Sequence, residues 1–355
     1  MAHVVIAAGG TAGHVVPALA VADALSESGA SVSFIGTRER AEAELVPAAG
    51  YEIDFLDVRG LDRRNPLKAA VAAGKAAAAV RVAGRLLSRR GAEAVMGGGG
   101  YVAGPTGLAA LRRGLPLVLT EADSHLGLTN RILARRARRV CLAFEIEDRE
   151  GDRYLITGRP VPKAVLEADR DEARASFGIE DGVACLLVFG GSLGARSINE
   201  AVAEAFAAAG SRGFHVLQIS GSRDYAEIRR RVGEVPQYTL LEYLPDLGDA
   251  LAAADLVLAR AGGSVFELTA AGRPAILVPY PYASANHQYE NARWMLDAGA
   301  AIVIDDAELS AERIRTEVSS LIADPDRLGR MAAAARAIAK PDAAERIAAE
   351  ILSHV

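Results

Sequence analysis

AAGGTAGHVVPALAVADAL, residues 7–25, decides how the rest of the chain is read. It follows a short apolar run, Val4, Val5 and Ile6, and passes through a glycine-rich turn into a helical pattern. Val15, Leu19 and Ala22 recur at helical spacing, with Asp23 and Glu27 outside that stripe. Gly9 and Gly10 let backbone approach a ligand with no Cβ in the way. Gly13 permits close packing, and Pro17 is expected in the first helical turn. Free N–H groups at such a helix start favour an anion. GGTAGH is neither G-x-G-x-x-G nor a P-loop. Gly36-Thr37-Arg38 puts no acid at the tip of the second strand. A dinucleotide site is therefore disfavoured, and ordinary strand-to-helix geometry is the competing reason for the glycines.

The same alternation runs outward along the chain. Strand-length apolar runs in the first half are HVVIAA, SVSFIG, YEIDFL, EAVMGG, PLVLTE, RRVCLAF and RYLITG. The second half has ACLLVFGG, FHVLQISG, YTLLEYL, DLVLARAGG, PAILVPYP and AAIVID. Near-continuous Val/Ile/Leu strands alternating with helical segments mean parallel sheets covered on both faces. Two such series mean an α/β protein of two Rossmann-like domains, as 355 residues also suggest. Pro160 and Pro162 mark the break. The expected division is 1–160 and 161–340, with a final helix over 341–355 crossing back onto the first domain. Facing domains would enclose one cleft.

Composition excludes several classes. At 51% apolar and 24% charged the chain is globular. Cys141 and Cys185 sit in apolar runs and read as buried thiols, with no disulfide framework or zinc spacing. MAHVVIAAGG lacks a basic leader, so no signal peptide is expected, and no window reaches about 20 uninterrupted apolar residues. Net charge is −5, yet residues 59–139 hold 16 basic and 4 acidic side chains. An anionic partner is one reading, a solvated arginine face the other. After Asn65-Pro66, the segment 67–90 interleaves Leu67, Val71, Val80, Val82, Leu86 and Leu87 with Lys68, Lys75, Arg81, Arg85, Arg89 and Arg90. A second basic run, RILARRARRV, covers 131–140. Such segments suit an anionic membrane surface. Nucleic acid is disfavoured, because aromatics are not interleaved and no binding module is present.

Other turns carry chemistry at strand ends. GGGGYVAGP, 97–105, has more glycine than a structural turn is expected to need, which points to a ligand. GGSLGAR, 190–196, places the Ser192 hydroxyl where it can donate to a phosphate. Gly262, Gly263 and Ser264 open a helix with Glu267 one turn in. A diphosphate at that start and a ribose on Glu267 would suit a uridine nucleotide; Ser264-Val-Phe-Glu267 also matches a capping box, and both can hold. Asn286, His287, Gln288 and Asn291 supply amides for sugar hydroxyls. Asp-x-Asp occurs at 169–171 and 324–326, in charged connectors where capping is the simpler role.

Taken together, AAGGTAGHVVPALAVA, GTRERAEAELVPAAGYEIDFL, MGGGGYVAGP, TEADSHLGLTNRILA, FGGSLGARSIN and HQYENA stand in the order found in the MurG family of transferases. The chain resembles that family over nearly its whole length. The resemblance implies a GT-B fold, two Rossmann-like domains around a deep cleft. It implies an inverting transferase that moves N-acetylglucosamine from UDP-N-acetylglucosamine to the muramyl 4-hydroxyl of undecaprenyl-linked lipid I, giving lipid II for peptidoglycan. The expected location is the cytoplasmic face of the cell membrane, held peripherally, with neither cofactor nor metal.

Carried over by position, Thr11, Ala12 and Gly13 would approach the donor sugar and phosphates. Ser192 would meet a phosphate, Leu244 the uracil through its backbone, Glu267 the ribose and Gln288 the sugar hydroxyls. Gly99, Gly100 and Tyr101 would line the acceptor's diphosphate path. Asp123, Asn130, Arg159, Ser264 and Asn291 complete the expected substrate-binding set. His14 is the candidate base, with a contact to phosphate or acceptor, or a capping role, as the alternatives. Four departures matter. Ala12 replaces a usual glycine, and Glu121-Ala122-Asp123 replaces Glu-Gln-Asn. Gly158-Arg159-Pro160-Val161-Pro162 replaces Gly-Asn-Pro-Val-Arg, with Arg159 or Lys163 as a substitute cation. The Arg260–Glu267 segment is one residue short. A 2-epimerase, another glycolipid or natural-product glycosyltransferase, and an inert nucleotide-sugar-binding protein are the rival functions.

Overall fold

The computed structural model describes residues 1–58, 66–191, 193–207, 213–283 and 286–355; within the helix Pro66–Arg90, side chains are described from Ala77 onward. Ser192, Asn65, and the side chains of Leu67, Lys68, Val71 and Lys75 lie outside the described residues. The chain divides into two compact units, Met1–Val161 with Lys340–Val355, and Pro162–Ala339.

The first unit holds seven strands: β1 (His3–Ala7), β2 (Ser31–Gly36), β3 (Glu52–Phe55), β4 (Ala94–Gly97), β5 (Leu117–Glu121), β6 (Arg139–Leu142) and β7 (Tyr154–Ile156). They are all parallel, in the order β3-β2-β1-β4-β5-β6-β7. The side-chain period of two sends Val4 and Ile6 to one face and Val5 to the other, and all three are fully buried. On the first face lie Val15, Val21 and Leu25 of the helix Ala12–Glu27, together with Ala344, Ile347, Ala348 and Ile351 of the last helix, Ala343–Leu352. Arg139 Nε donates to Glu350 Oε1 at 2.7 Å, tying that helix to β6. On the second face, Val80, Ala83 and Leu87 pack with Ala109 and Ala110 over Val5, Val95 and Leu119.

That second face accounts for the described apolar side chains of segment 67–90 and leaves Arg81 and Arg85 exposed. Val80 and Leu87 are core, and Val82 and Leu86 pack against it. Arg89 pairs with Asp54, and Arg90 with Asp54 and Glu52. The helix is amphipathic because one side covers the sheet, so these apolar groups are not available to a bilayer. The exposed large apolar side chains in the described part of this unit include Tyr101, Leu128 and Ile132.

The second unit holds β8 (Ala184–Phe189), β9 (Phe214–Ile219), β10 (Tyr238–Leu241), β11 (Leu256–Ala259), β12 (Ala275–Leu277) and β13 (Ala301–Val303). These too are parallel, in the order β10-β9-β8-β11-β12-β13. Leu186, Val188, Val216, Leu256 and Leu258 pack beneath Ile198 and Val202 of one helix and Ile314, Val318 and Leu321 of another. Cys141 in β6 and Cys185 in β8 are buried thiols, each pushed up to about 12 by burial. Asp169 and Asp324 cap helices: Asp169 Oδ1 accepts from the N–H of Asp171 and Glu172, and Asp324 Oδ1 from that of Arg327, each at 2.9 Å.

Candidate active site

In both sheets strand order reverses beside the first strand, between β1 and β4 and between β8 and β11. Loops leaving the carboxyl ends of neighbouring strands there diverge and leave a crevice. In the first unit the two loops are the glycine turns after β1 and β4. Gly100 has φ +77°, and a methyl on it would overlap the Gly9 carbonyl. Gly99 has φ +97°, and a methyl there would strike the His14 ring. Gly97 is packed against Leu119 and Gly98 against Ala8. Internal packing thus gives Gly99 and Gly100 a structural reason as well, while Gly98, Gly99 and Gly100 all line the cavity described below. What the crowding produces is a fixed seat for the His14 imidazole.

Pro17 is not in the first turn. The helix starts at Ala12, with Thr11 as N-cap in extended geometry, so Pro17 is the sixth helical residue. Its missing N–H leaves the Gly13 carbonyl without its usual donor four residues on. Arg159 Nη2 fills the gap, donating to Gly13 O at 2.6 Å. Ala12, as the first helical residue with no positive φ, accommodates its Cβ.

Below the first turn lies a residue that the sequence did not single out. Glu42 is 0% exposed and accepts three hydrogen bonds: from Gly10 N–H at 2.9 Å, Thr37 N–H at 2.8 Å and the Thr37 hydroxyl at 2.6 Å. Burial alone would raise its pKa, but the Thr37 hydroxyl and the Gly10 and Thr37 N–H groups outweigh it and hold the carboxyl below its ordinary value. Gly9 and Gly36 lack side chains where Glu42 sits; a methyl on either would collide with it.

A cavity of about 950 Å³ opens beside this turn. Among the expected site residues, Gly13, His14, Gly99, Gly100, Tyr101, Asp123, Asn130 and Arg159 all line it. Thr11 and Ala12 do not, but Thr11 Oγ1 lies 3.3 Å from His14 Nδ1. Burial and then the Arg159 charge push the His14 pKa below its ordinary value, with Asp123 and Glu42 opposing. The ring is therefore biased to the neutral form, which accepts a proton.

Glu121 was the second omission. Its Oε2 accepts from Gly127 N–H and Asn130 Nδ2, both at 2.9 Å, and its Oε1 from Ala122 N–H at 3.1 Å. It thereby folds the 122–127 loop that carries Asp123. Burial pushes its carboxyl above the ordinary value, against the hydrogen bonds from Gly127 and Asn130. Asn130 also donates to Thr120 O at 2.9 Å, and its buried Oδ1 has no partner in the structure. An acceptor atom buried on a cavity wall without a donor is a place for a ligand's O–H or N–H.

In the second unit the corresponding loops follow β8, β11 and β12. Ser264 begins the helix Val265–Ala270 in helical backbone geometry (φ −61°, ψ −15°) and makes no side-chain cap bond, so the capping box is not formed. Glu267 lies in its first turn. Asn291 is 4% exposed and spends its amide on the carbonyls of Ala261 at 2.9 Å and Gly262 at 3.3 Å. Its Nδ2 braces the Gly262-Gly263 turn. Gln288 Oε1 accepts from Tyr280 N–H at 2.9 Å. Leu244 is half-buried in the loop after β10. Arg260, at the end of β11, gathers this region: it donates to Val278 O at 3.1 Å and Ser197 Oγ at 2.8 Å, and pairs with Asp306 at 2.6 Å. Among the described residues, no three His, Cys, Asp or Glu side chains cluster to hold a metal ion.

Two units, each an all-parallel sheet of this topology with glycine turns at its switch point, are the architecture of the GT-B fold, and the family matches make the class a glycosyltransferase. Residues 4–142 match the glycosyltransferase family 28 N-terminal domain and residues 185–347 the family's C-terminal domain. The chain belongs to the MurG family, the UDP-N-acetylglucosamine–N-acetylmuramyl-(pentapeptide) pyrophosphoryl-undecaprenol N-acetylglucosamine transferases. It is 40% identical to the transferase of that name from Salinibacter ruber, covering 99% of this chain and 96% of the relative. With the Moorella thermoacetica enzyme it is 42% identical, over 99% of both chains. The crystal structure of Acinetobacter baumannii MurG superposes with a TM-score of 0.79 at 30% identity, covering 99% of this chain and 100% of that one. A structure from Listeria monocytogenes described as a UDP-N-acetylglucosamine 2-epimerase reaches a TM-score of 0.72 at 17% identity, covering 99% and 96%, a likeness of fold alone.

Proposed function

We propose that this chain transfers N-acetylglucosamine from UDP-N-acetylglucosamine to the muramyl 4-hydroxyl of lipid I, giving lipid II for peptidoglycan. The observation that carries the reading is the His14 cavity, set within a chain similar over its full length to transferases of that name. The acceptor enters the first unit's cavity. Its diphosphate lies along the Gly99–Tyr101 turn, and Asn130 Oδ1 accepts a hydrogen bond from a hydroxyl or amide N–H of the acceptor. The donor binds the second unit, with uracil at Leu244, ribose at Glu267, phosphates at the Ser192 and Ser264 turns, and sugar hydroxyls at Gln288.

The chemistry is a single inverting displacement. With Nδ1–H shared with Thr11, His14 Nε2 takes the proton of the 4-hydroxyl. The acceptor oxygen bonds to the anomeric carbon, and the bond to the β-phosphate oxygen breaks with its electron pair leaving on UDP. Positioned N–H groups stabilise that charge, and no metal is called for. The acceptor's lipid requires a membrane surface, and the exposed pair Leu128 and Ile132, with Arg131 and Arg135 beside them, suits an anionic leaflet. A basic groove lined by Arg81, Arg85, Ser88 and Arg113 adds to that surface. No described helix is long and apolar enough to cross a membrane.

The test follows label from UDP-N-acetylglucosamine incubated with lipid I and the purified chain. Label in a lipid product supports the reading. Label in a free epimer, or in no product, replaces it with an epimerase or an inert binder.

A further inference from the structure

Arg159 stands where the family resemblance gives asparagine, and the structure shows what it does. Pro17 withholds the N–H that the Gly13 carbonyl would accept in a regular helix. Arg159 Nη2 supplies the donor at 2.6 Å, from a loop 146 residues further along. Gly13 is bonded directly to His14. The imidazole is confined on one side by Gly99, where a methyl would collide with it, and at Nδ1 by Thr11 Oγ1 at 3.3 Å. Fixing the Gly13 carbonyl therefore steadies the backbone from which that ring projects. The charged groups around it are Arg159, Asp123 and Glu42, from the loop after β7, the loop after β5 and the helix Glu42–Ala48.

We propose that Arg159 is a positioning residue: by closing the carbonyl that Pro17 leaves open, it locks the Gly13–His14 turn against Gly99 and places a permanent cation beside the imidazole. The lock holds the backbone beneath the ring, and the cation adds to burial in lowering the ring's affinity for a proton. The role deepens the reading of His14 as the base and rests on it for its catalytic consequence. It differs from a direct grip of Arg159 on a substrate phosphate.

The experiment is a double-mutant cycle of Pro17→Ala and Arg159→Gln, with Arg159→Lys as the conservative variant. Alanine at 17 restores the N–H four residues from Gly13, which makes the guanidinium's hydrogen bond redundant. Arg159→Gln alone is expected to lower kcat by about tenfold and to lower the thermal midpoint. In the Pro17→Ala background both losses shrink by more than half. Arg159→Lys recovers part of kcat. Histidine NMR on the labelled chain, with His14 assigned from His14→Gln, is expected to show its titration moved to higher pH in Arg159→Gln in both backgrounds. The acid limb of kcat/KM moves the same way.

Equal losses with and without Pro17 would overturn the lock. A raised KM for the lipid acceptor, with kcat and the His14 titration unchanged, would overturn the proposal in favour of a phosphate ligand. Should His14→Ala keep its turnover, the base reading falls. The thermal cycle and the NMR titration still decide the role of Arg159.

Discussion

Glu42→Gln is the sharpest test of how the first glycine turn is held. Glutamine is nearly isosteric, so packing under Gly9 and Gly36 is preserved. Oriented with its carbonyl at the Oε1 position, it keeps both Thr37 hydrogen bonds. Its NH₂ group then faces the Gly10 N–H across the 2.9 Å separation that Oε2 bridges in the native protein. Donor meets donor, and a half-buried N–H loses its partner at a cost of about 1–3 kcal/mol. Taking about 2 kcal/mol, and a urea slope of about 2 kcal/mol per molar, the first unit's midpoint falls by about 1 M. The assay has an internal control. The chain's one tryptophan, Trp294, lies in the second unit, so its fluorescence follows that unit while circular dichroism follows both.

The pH dependence has a definite sign. The Glu42 pKa is lower in the folded state than its ordinary 4.5. Its contribution is present in full above 4.5 and is lost as pH falls through the folded value. The difference between wild type and Glu42→Gln should therefore be largest near neutrality and shrink below pH 4.5. Identical urea midpoints at pH 7, or a gap that widens on acidification, would refute the reasoning.

His14→Ala should reduce turnover by about 10²–10⁴-fold while calorimetry shows UDP binding unchanged; near-normal turnover removes His14 from the chemistry. Gly100→Ala forces a Cβ into the Gly9 carbonyl at φ +77°, so kcat should drop about 5- to 150-fold, matching strain of about 1–3 kcal/mol, with UDP affinity retained. Asp169→Ala and Asp324→Ala should each cost about 1 kcal/mol in unfolding and leave turnover intact, before and after exhaustive chelation; activity lost on chelation and restored by magnesium would contradict the metal-free reading. Leu128→Glu with Ile132→Glu should weaken sedimentation with anionic vesicles and leave neutral-vesicle binding low at any salt; unchanged sedimentation moves the membrane surface elsewhere.

Much of the fold was legible because parallel strands covered on both faces must be apolar at nearly every position. Val4 to Ile6 and Leu186 to Val188 announce themselves for that reason. Loop chemistry was harder. Glu42 and Glu121 act on backbone N–H groups of glycine turns, and for Glu42 the partner Gly10 is 32 residues away. No local pattern encodes that encounter, although two side-chain-free positions, Gly9 and Gly36, are its trace. Pro17 misled for a different reason: the helix begins at Ala12 after an extended Thr11 that makes no side-chain cap bond, so the proline falls inside it. Ser264-Val-Phe-Glu267 has the letters of a capping box, but Ser264 adopts helical rather than extended backbone. In the arginine-rich helix the described apolar side chains, Val80 to Leu87, are taken by the sheet beneath, so what it presents outward is basic, with Arg81 and Arg85 exposed.

The last helix has a consequence for biosynthesis. Ala344, Ile347, Ala348 and Ile351 complete a core laid down by Val4, Ile6 and Val15. A ribosome releases these side chains only after everything between them has been made. The inserted half is fully synthesised while the half that begins the chain still exposes an unfilled groove along its sheet. Nascent chains stalled with residues 343–352 still inside the ribosome should thus offer that greasy furrow to chaperones and proteases, and released ones should not.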